Sequence, residues 1–333
     1  MKIKFAIIIS GLMLLIATSS FALQPVKTPA AKKVMADAVK ILEQRDFDAL
    51  ENMLGRYLKK GERVEDGQWK LHLAMDGISG LAAQFYSDAA TVEKNFALVS
   101  EWVAAKPNST MAKTALANAW IARAWTYRGM KLASETSQQQ FTTMESGLEN
   151  AFRVLQEIGD SSEPNPELFM AWLLFAVGAG APPEVTDDIY KKGNNFYPEY
   201  FYITLQYLVS KFERWSGDAD AVPNVLKQLS SDKELFARTI WHLVVYDEKN
   251  KLMTPTYVDA AKEGFTIIKE KYNAEVTANQ ISYLACFHWH DPAVIKKMDT
   301  MIMGNPDSTI WGKSENYKNC VNWAEQSIAL QKK

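Results

Sequence analysis

In Cys286-Phe287-His288-Trp289-His290-Asp291, four of the six side chains can ligate a metal. On a helix Cys286 and His290 share a face, while His288 points away. A zinc site draws on three or four protein ligands at once. No Cys-x-x-Cys or His-Glu-x-x-His accompanies this run, and His72 and His242 stand isolated in the sequence. The segment therefore reads as a helix end, its imidazoles set against the C-terminal dipole and Asp291 capping the next helix. No metal or other cofactor is expected.

Nucleophile chemistry fares no better. Gly77-Ile78-Ser79-Gly80 lacks the second spaced glycine and the preceding strand of a nucleophile elbow. No P-loop or dinucleotide fingerprint occurs. Carboxylates such as Asp187-Asp188, or Asp218 with Asp220, fall at turns and helix starts, where they compensate the helix dipole. No catalytic residue is assigned, and the balance leans away from an enzyme.

The aromatic residues offer more. Phe196-Tyr197-Pro198-Glu199-Tyr200-Phe201-Tyr202 with Tyr207, Phe212 and Trp215 fills one helix with rings, and Trp120, Trp125 and Tyr127 fill another. Such stripes serve first as packing. Second, they could line a concave groove that clamps a peptide, with Trp125, Arg128, Tyr202, Arg214 and Trp215 as its binding residues. Each arginine could instead cap a helix C-terminus.

These groups sit in a chain of 333 residues, 47% hydrophobic, 23% charged and 11% aromatic. That composition belongs to a globular protein. With 37 basic against 39 acidic residues, nothing draws the chain to nucleic acid. Lys2 and Lys4 precede an apolar run from Phe5 to Ile16, and small residues follow at Ser20 and Ala22. This is the pattern of a signal peptide over residues 1–22, with cleavage before Leu23. The apolar run is too short to span a bilayer. Residues 23–333 are then expected as one all-helical domain, periplasmic or secreted, without a stable membrane span. Export would permit Cys286 and Cys320 to pair. Spacing leaves that pairing open against two separate buried thiols.

Periodicity is helical nearly throughout. Val34–Leu42 puts Val34, Ala38, Ile41 and Leu42 on one face. Phe47, Leu50, Leu54 and Leu58 form a second stripe, ended by Lys59-Lys60-Gly61. Pro107-Asn108-Ser109-Thr110 opens a long helix that closes at Arg128-Gly129. Further helices are predicted over Glu145–Ile158 after a polar stretch, Pro166–Val177, Pro183–Lys192 with a stop at Gly193-Asn194, Pro198–Trp215, and Val222–Leu229. Leu243-Val244-Val245-Tyr246 is prone to form a strand, yet lies within a helical stripe and is read as helix. Short loops make neighbours antiparallel, so the chain reads as stacked helical hairpins. Related turns, each with an Asp placed to cap the next helix, recur at Arg45-Asp46, Ser216-Gly217-Asp218 and His290-Asp291. Helix pairs repeating at about 32–40 residues indicate a degenerate tetratricopeptide-like solenoid.

Several motifs carry a family resemblance. Gly67-Gln68-Trp69-Lys70-Leu71 with Asp76-Gly77, Pro107-Asn108-Ser109, and Ala119-Trp120-Ile121-Ala122-x-Ala124-Trp125-x-x-Arg128-Gly129 come first. Phe196-Tyr197-Pro198-Glu199-Tyr200-Phe201-Tyr202 then leads to Arg214-Trp215-x-Gly217-Asp218. In this order, from about Arg45 to Leu229, the chain resembles the DUF4034 family of bacterial proteins. The resemblance implies an all-helical, tetratricopeptide-like fold and no activity. It marks Trp125, Arg128, Arg214 and Trp215 as central.

The leading expectation is an exported scaffold in the cell envelope that binds a protein or peptide. A hydrolase of envelope polymer and a structural subunit of an assembly are the alternatives. A deep pocket holding acids of shifted pKa would favour the hydrolase.

Overall fold

The computed structural model describes residues 28–79, 89–129, 133–159, 164–212, 215, 217–218, 220–246, 255–272 and 275–331. Residues 1–22, with the expected signal peptide, lie outside them, as does Arg214. The fold is all-α, and no strand occurs among the described residues. They form two compact units. The first takes Lys32–Glu62 and Trp69–Val222; the second takes residues 28–31, Arg63–Gln68 and residues 223–331.

The first unit contains most of α1 (Pro29–Glu43), then α2 (Phe47–Lys60), α3 (Lys70–Ser79), α4 (Ala89–Ala105) and α5 (Thr110–Arg128). It continues with α6 (Gln138–Ile158), α7 (Pro166–Gly178), α8 (Pro183–Phe196) and α9 (Phe201–Ser210). From α2 onward each helix touches the next, as hairpins require. In addition α3, α5, α7 and α9 touch in series, giving a row of alternate helices with α4, α6 and α8 beside it. The caps explain where these helices begin and end. Asp46 accepts from the Ala49 amide at 3.0 Å to start α2, and Gly61 at φ +60° closes it. Ser109 accepts from Ala112 at 2.9 Å to start α5. Leu50, Met53, Leu54 and Tyr57 form the buried stripe of α2. By contrast α7 is apolar apart from Glu167 in its first turn, and all of Pro166–Gly178 is buried, as is all of Phe201–Ser210 in α9.

Three helix boundaries differ from the periodicity reading. Helix α6 begins at Gln138 rather than Glu145, because Ser137 and Gln140 form a capping box in which each side chain bonds the other's backbone. Gly193 does not stop α8, which runs on to Phe196. A Cβ at Gly193 would come 3.0 Å from the Phe169 ring and 3.1 Å from Ile203, so glycine here admits α7 and α9. The long helix expected over Pro198–Trp215 is instead α9 with turns on both sides. Tyr200 bonds back to Tyr197, and the Gly217 amide bonds the Phe212 carbonyl. At Gly217 a Cβ would stand 1.9 Å from the Lys211 carbonyl oxygen, a fold-back too tight for a continuing helix.

The second unit contains most of α10 (Ala221–Leu229), α11 (Lys233–Tyr246), α12 (Pro255–Tyr272) and α13 (Glu275–Leu284). A π-helical turn over Ala285–Trp289 leads to α14 (Pro292–Ile302), α15 (Ser308–Trp311) and α16 (Ser314–Gln331). Leu243–Tyr246 is helical, as read. Cys286 and Cys320 form a disulfide, with Cα atoms 5.9 Å apart, joining the π-helical turn to α16. Beside it Ala285, Ile295 and Ala324 form a small buried core. Arg63–Gln68, between α2 and α3 in sequence, packs within this unit. Arg63 donates to the Tyr272 hydroxyl at 2.7 Å, and Arg238 donates to the Asp66 carbonyl at 3.2 Å.

Helices α11 and α12 approach closely at Gly264, where a Cβ would lie 1.9 Å from the Lys233 carbonyl oxygen and 2.7 Å from Ala237 Cβ. Gly264→Ala should therefore destabilise the protein by about 1–3 kcal/mol despite the helix propensity of alanine. Urea denaturation checks this; unchanged stability would mean that the two helices separate without cost.

Candidate functional site

The first unit brings together some of the residues singled out in sequence and separates others. At the C-terminal end of α5, Trp125 meets Trp215 edge to face, with ring centroids 5.9 Å apart. The Arg128 guanidinium lies 5.8 Å from the Trp125 ring centroid and 5.9 Å from that of Phe141. Arg128 also donates to the Gly129 carbonyl, while Gln140 bonds the Arg128 carbonyl. Trp125 and Arg128 are buried and Trp215 is half-buried. Here arginine is both a helix end and a ring partner.

Tyr202 belongs elsewhere. It is buried, and its ring stacks on His72 of α3 at 3.6 Å between centroids. His72 Nδ1 lies 3.1 Å from Glu167 Oε1, and the Tyr200 hydroxyl donates to the same oxygen at 2.5 Å. The Trp69 and Tyr200 ring centroids are 4.9 Å apart. Asp76, one turn beyond His72, is buried too. Burial opposes charging of His72, but Glu167, helped by Asp76, outweighs it and raises the imidazole pKa above 6.5. Burial, then the neighbouring Glu167 carboxylate, pushes the Tyr200 phenol well above its usual range. Glu167 follows Asn165 and Pro166 at the start of α7, where the helix dipole favours its negative charge. One carboxylate thus ties α3, α7 and the entry to α9.

A second knot joins α8 to α9 around a carboxylate that stays exposed. Lys211 pairs with Asp187, which also accepts from the Tyr207 hydroxyl at 2.8 Å. The Tyr207 ring stacks on Tyr190 at 4.1 Å. Burial, then the bond to Asp187, raises the Tyr207 pKa. Asp187, read from the sequence as a turn acid, is therefore the partner of a buried lysine.

At the surface, a shallow pocket is lined by Glu43, Arg45, Lys94, Ala97, Leu98 and Glu101. Its charges are matched to one another: Lys94 bonds Glu43 at 2.7 Å and Arg45 bonds Glu101 at 2.6 Å. These exposed pairs add little stability.

In the second unit, the run from Cys286 to Asp291 takes the helix-end form expected of it. Cys286 is committed to the disulfide and so supplies no thiolate. His290, at φ +50°, bonds the Cys286 carbonyl through Nδ1 at 3.0 Å. Asp291 caps α14 through the Val294 amide and pairs with Lys262 at 2.8 Å. Burial would raise the Asp291 pKa, but these bonds outweigh it and hold it below the usual carboxylate range.

His72 and Glu167 escaped the sequence reading. His72 stood as an isolated histidine, and Glu167 was not singled out within the helix over Pro166–Val177. They are 95 positions apart, and nothing in local spacing pairs them.

In comparison with known proteins, a family model matches part of this chain. Residues 34–171 match DUF4034, a domain of unknown function, which bears out the resemblance over that stretch. The matched region includes the motifs from Gly67 to Gly129, together with His72 and Glu167, and ends before the motif at Phe196–Asp218. No curated protein and no solved structure matches the chain.

Proposed function

With residues 34–171 established as a DUF4034 match, we propose that the protein is an exported helical scaffold that binds a protein or peptide in the cell envelope. The observation that carries this reading over a hydrolase is how the acids in the first unit's side-chain clusters are used. The buried Glu167 is tied to His72 and Tyr200, and the exposed Asp187 to the buried Lys211 and to Tyr207, so each acid is taken up in joining helices. Stacked helical hairpins present their outer faces to partners. The leader-like residues 1–22 and the Cys286–Cys320 disulfide support an oxidising, exported location. In this reading Trp125, Arg128 and Trp215 shape the end of α5, Arg214 belongs to the same sequence motif as Trp215, and Tyr202 braces the separate His72 cluster.

Affinity capture from envelope extract tests the proposal, using the mature chain and an Arg214→Ala/Trp215→Ala variant of matched stability. A discrete partner recovered by the first and lost by the second is the expected result. Equal recovery by both, or none by either, would overturn it. Fractionation of cells tests the location separately: the protein should appear in the envelope fraction, shortened at its N-terminus and without free thiols.

A further inference from the structure

We propose that His72 is a proton-operated lock on the first unit. When charged it holds α3 to the starts of α7 and α9, and when neutral it lets the three loosen. The geometry is a closed one. His72 and Glu167 are both buried, and the imidazole is held between the Glu167 carboxylate and the face of Tyr202. Glu167 Oε1 takes both the Tyr200 hydroxyl and His72 Nδ1.

The charges acting on the imidazole come from two elements. Glu167 acts from α7 and Asp76 from α3 itself, both negative. The α9 side brings the Tyr200 and Tyr202 phenols. Helices α2, α4 and α5 also touch α3: the buried side chains of α4 are apolar, α2 buries one titratable group, the Tyr57 phenol, and α5 turns the non-titrating Thr114 and Asn118 into the interior. A protonated His72 therefore serves as counter-charge to carboxylates in a sealed environment. A neutral His72 can keep its Nδ1–H bond to Glu167, yet it leaves that carboxylate without compensating charge.

The direction of the pH effect follows. The folded-state pKa of His72 is raised above 6.5. The protein therefore holds this stabilisation in full below pH 6.5, and loses it as pH rises through the folded value. The device opens on the alkaline side, opposite to a histidine switch released by acid.

Two measurements on the full mature chain test this. In the first, ¹³C-labelled histidines are titrated by NMR, with His72→Gln used to assign the resonance. A His72 midpoint above 6.5 is expected, and a His72 that is neutral at pH 6 would overturn the proposal. The titration curve is read from the unaltered chain, and His72→Gln serves only to tell which of the four histidine signals belongs to His72. In the second, melting temperature is followed from pH 6 upward. One proton bound only in the folded state should lower it by about 2 °C per pH unit until the folded pKa is passed. Glu167→Gln should flatten that dependence, the remaining histidines serving as an internal control. Equal slopes in both proteins would count against the lock.

Discussion

Glu167→Ala should cost the protein about 3–5 kcal/mol, the loss expected when one partner of a buried charged pair is removed. The carboxylate is the shared acceptor for His72 and the Tyr200 hydroxyl. Its removal strands an imidazole and a phenol where water does not reach, and each stranded polar group adds its own desolvation penalty. It also leaves a cavity at the start of α7, a helix otherwise enclosed by apolar contacts. Glu167→Gln separates these contributions. It keeps the shape and an acceptor for Tyr200 but removes the charge, so its loss should be the smaller of the two at pH 6. Urea denaturation monitored by tryptophan fluorescence reads both. A loss below about 1 kcal/mol for the alanine variant would place Glu167 among exposed pairs, contrary to its burial.

Cys320→Ala should be nearly as damaging. The disulfide closes a loop with a sequence separation of 34. Chain entropy for such a loop corresponds to about 4 kcal/mol, within the usual range of roughly 2–5 for native bridges. Cys320 is also buried on the inner face of α16 with Tyr317 and Ala324, so alanine gives up some packing. Reducing the wild-type protein with dithiothreitol isolates the covalent part, because both sulfurs stay in place. The two treatments should agree to within about 1–2 kcal/mol, a margin set by that packing loss. If reduction changes nothing while Cys320→Ala is severe, the bond contributes only through packing.

The local fold was well written in the sequence wherever a capping side chain and a glycine bracket an apolar stripe. Asp46 with Gly61, and Ser109 with Gly129, fix α2 and α5 through contacts within a turn of each helix end. Asp291 does the same at the start of α14. The errors came where a residue acts through something distant. Gly193 looks like a stop, yet it remains in α8 because Phe169 and Ile203 press against it from other helices. The start of α6 is a local miss instead: Ser137 and Gln140, three residues apart, form a capping box ahead of the apolar stripe, in what looked like a polar stretch. The disulfide was visible as a possibility, since two cysteines in an exported chain invite it, but only the fold brings the two together. The His72–Glu167 contact had no local signature at all. Trp125, Arg128 and Trp215 do come together, yet as a ring cluster set largely within the first unit. Tyr202 joins a different cluster.

Residues 63–68 carry a consequence for synthesis. They belong to the second unit, yet the ribosome makes them before most of the first. Their partners Arg238 and Tyr272 are 172 and 209 positions downstream of the residues they bond. Gly67, at φ +83°, fits only because it has no side chain; a Cβ would lie 2.3 Å from the Arg238 guanidinium. The second unit thus waits on an early-made strap. A gene fragment beginning at codon 223 would lack it, and should yield a less stable product than one in which a peptide of residues 63–68 is grafted to its start. Contacts this far apart also slow folding, because a long loop must close before they form. A nascent chain released before Tyr272 is made would leave Arg63 without its hydroxyl partner, an opening for proteases between α2 and α3.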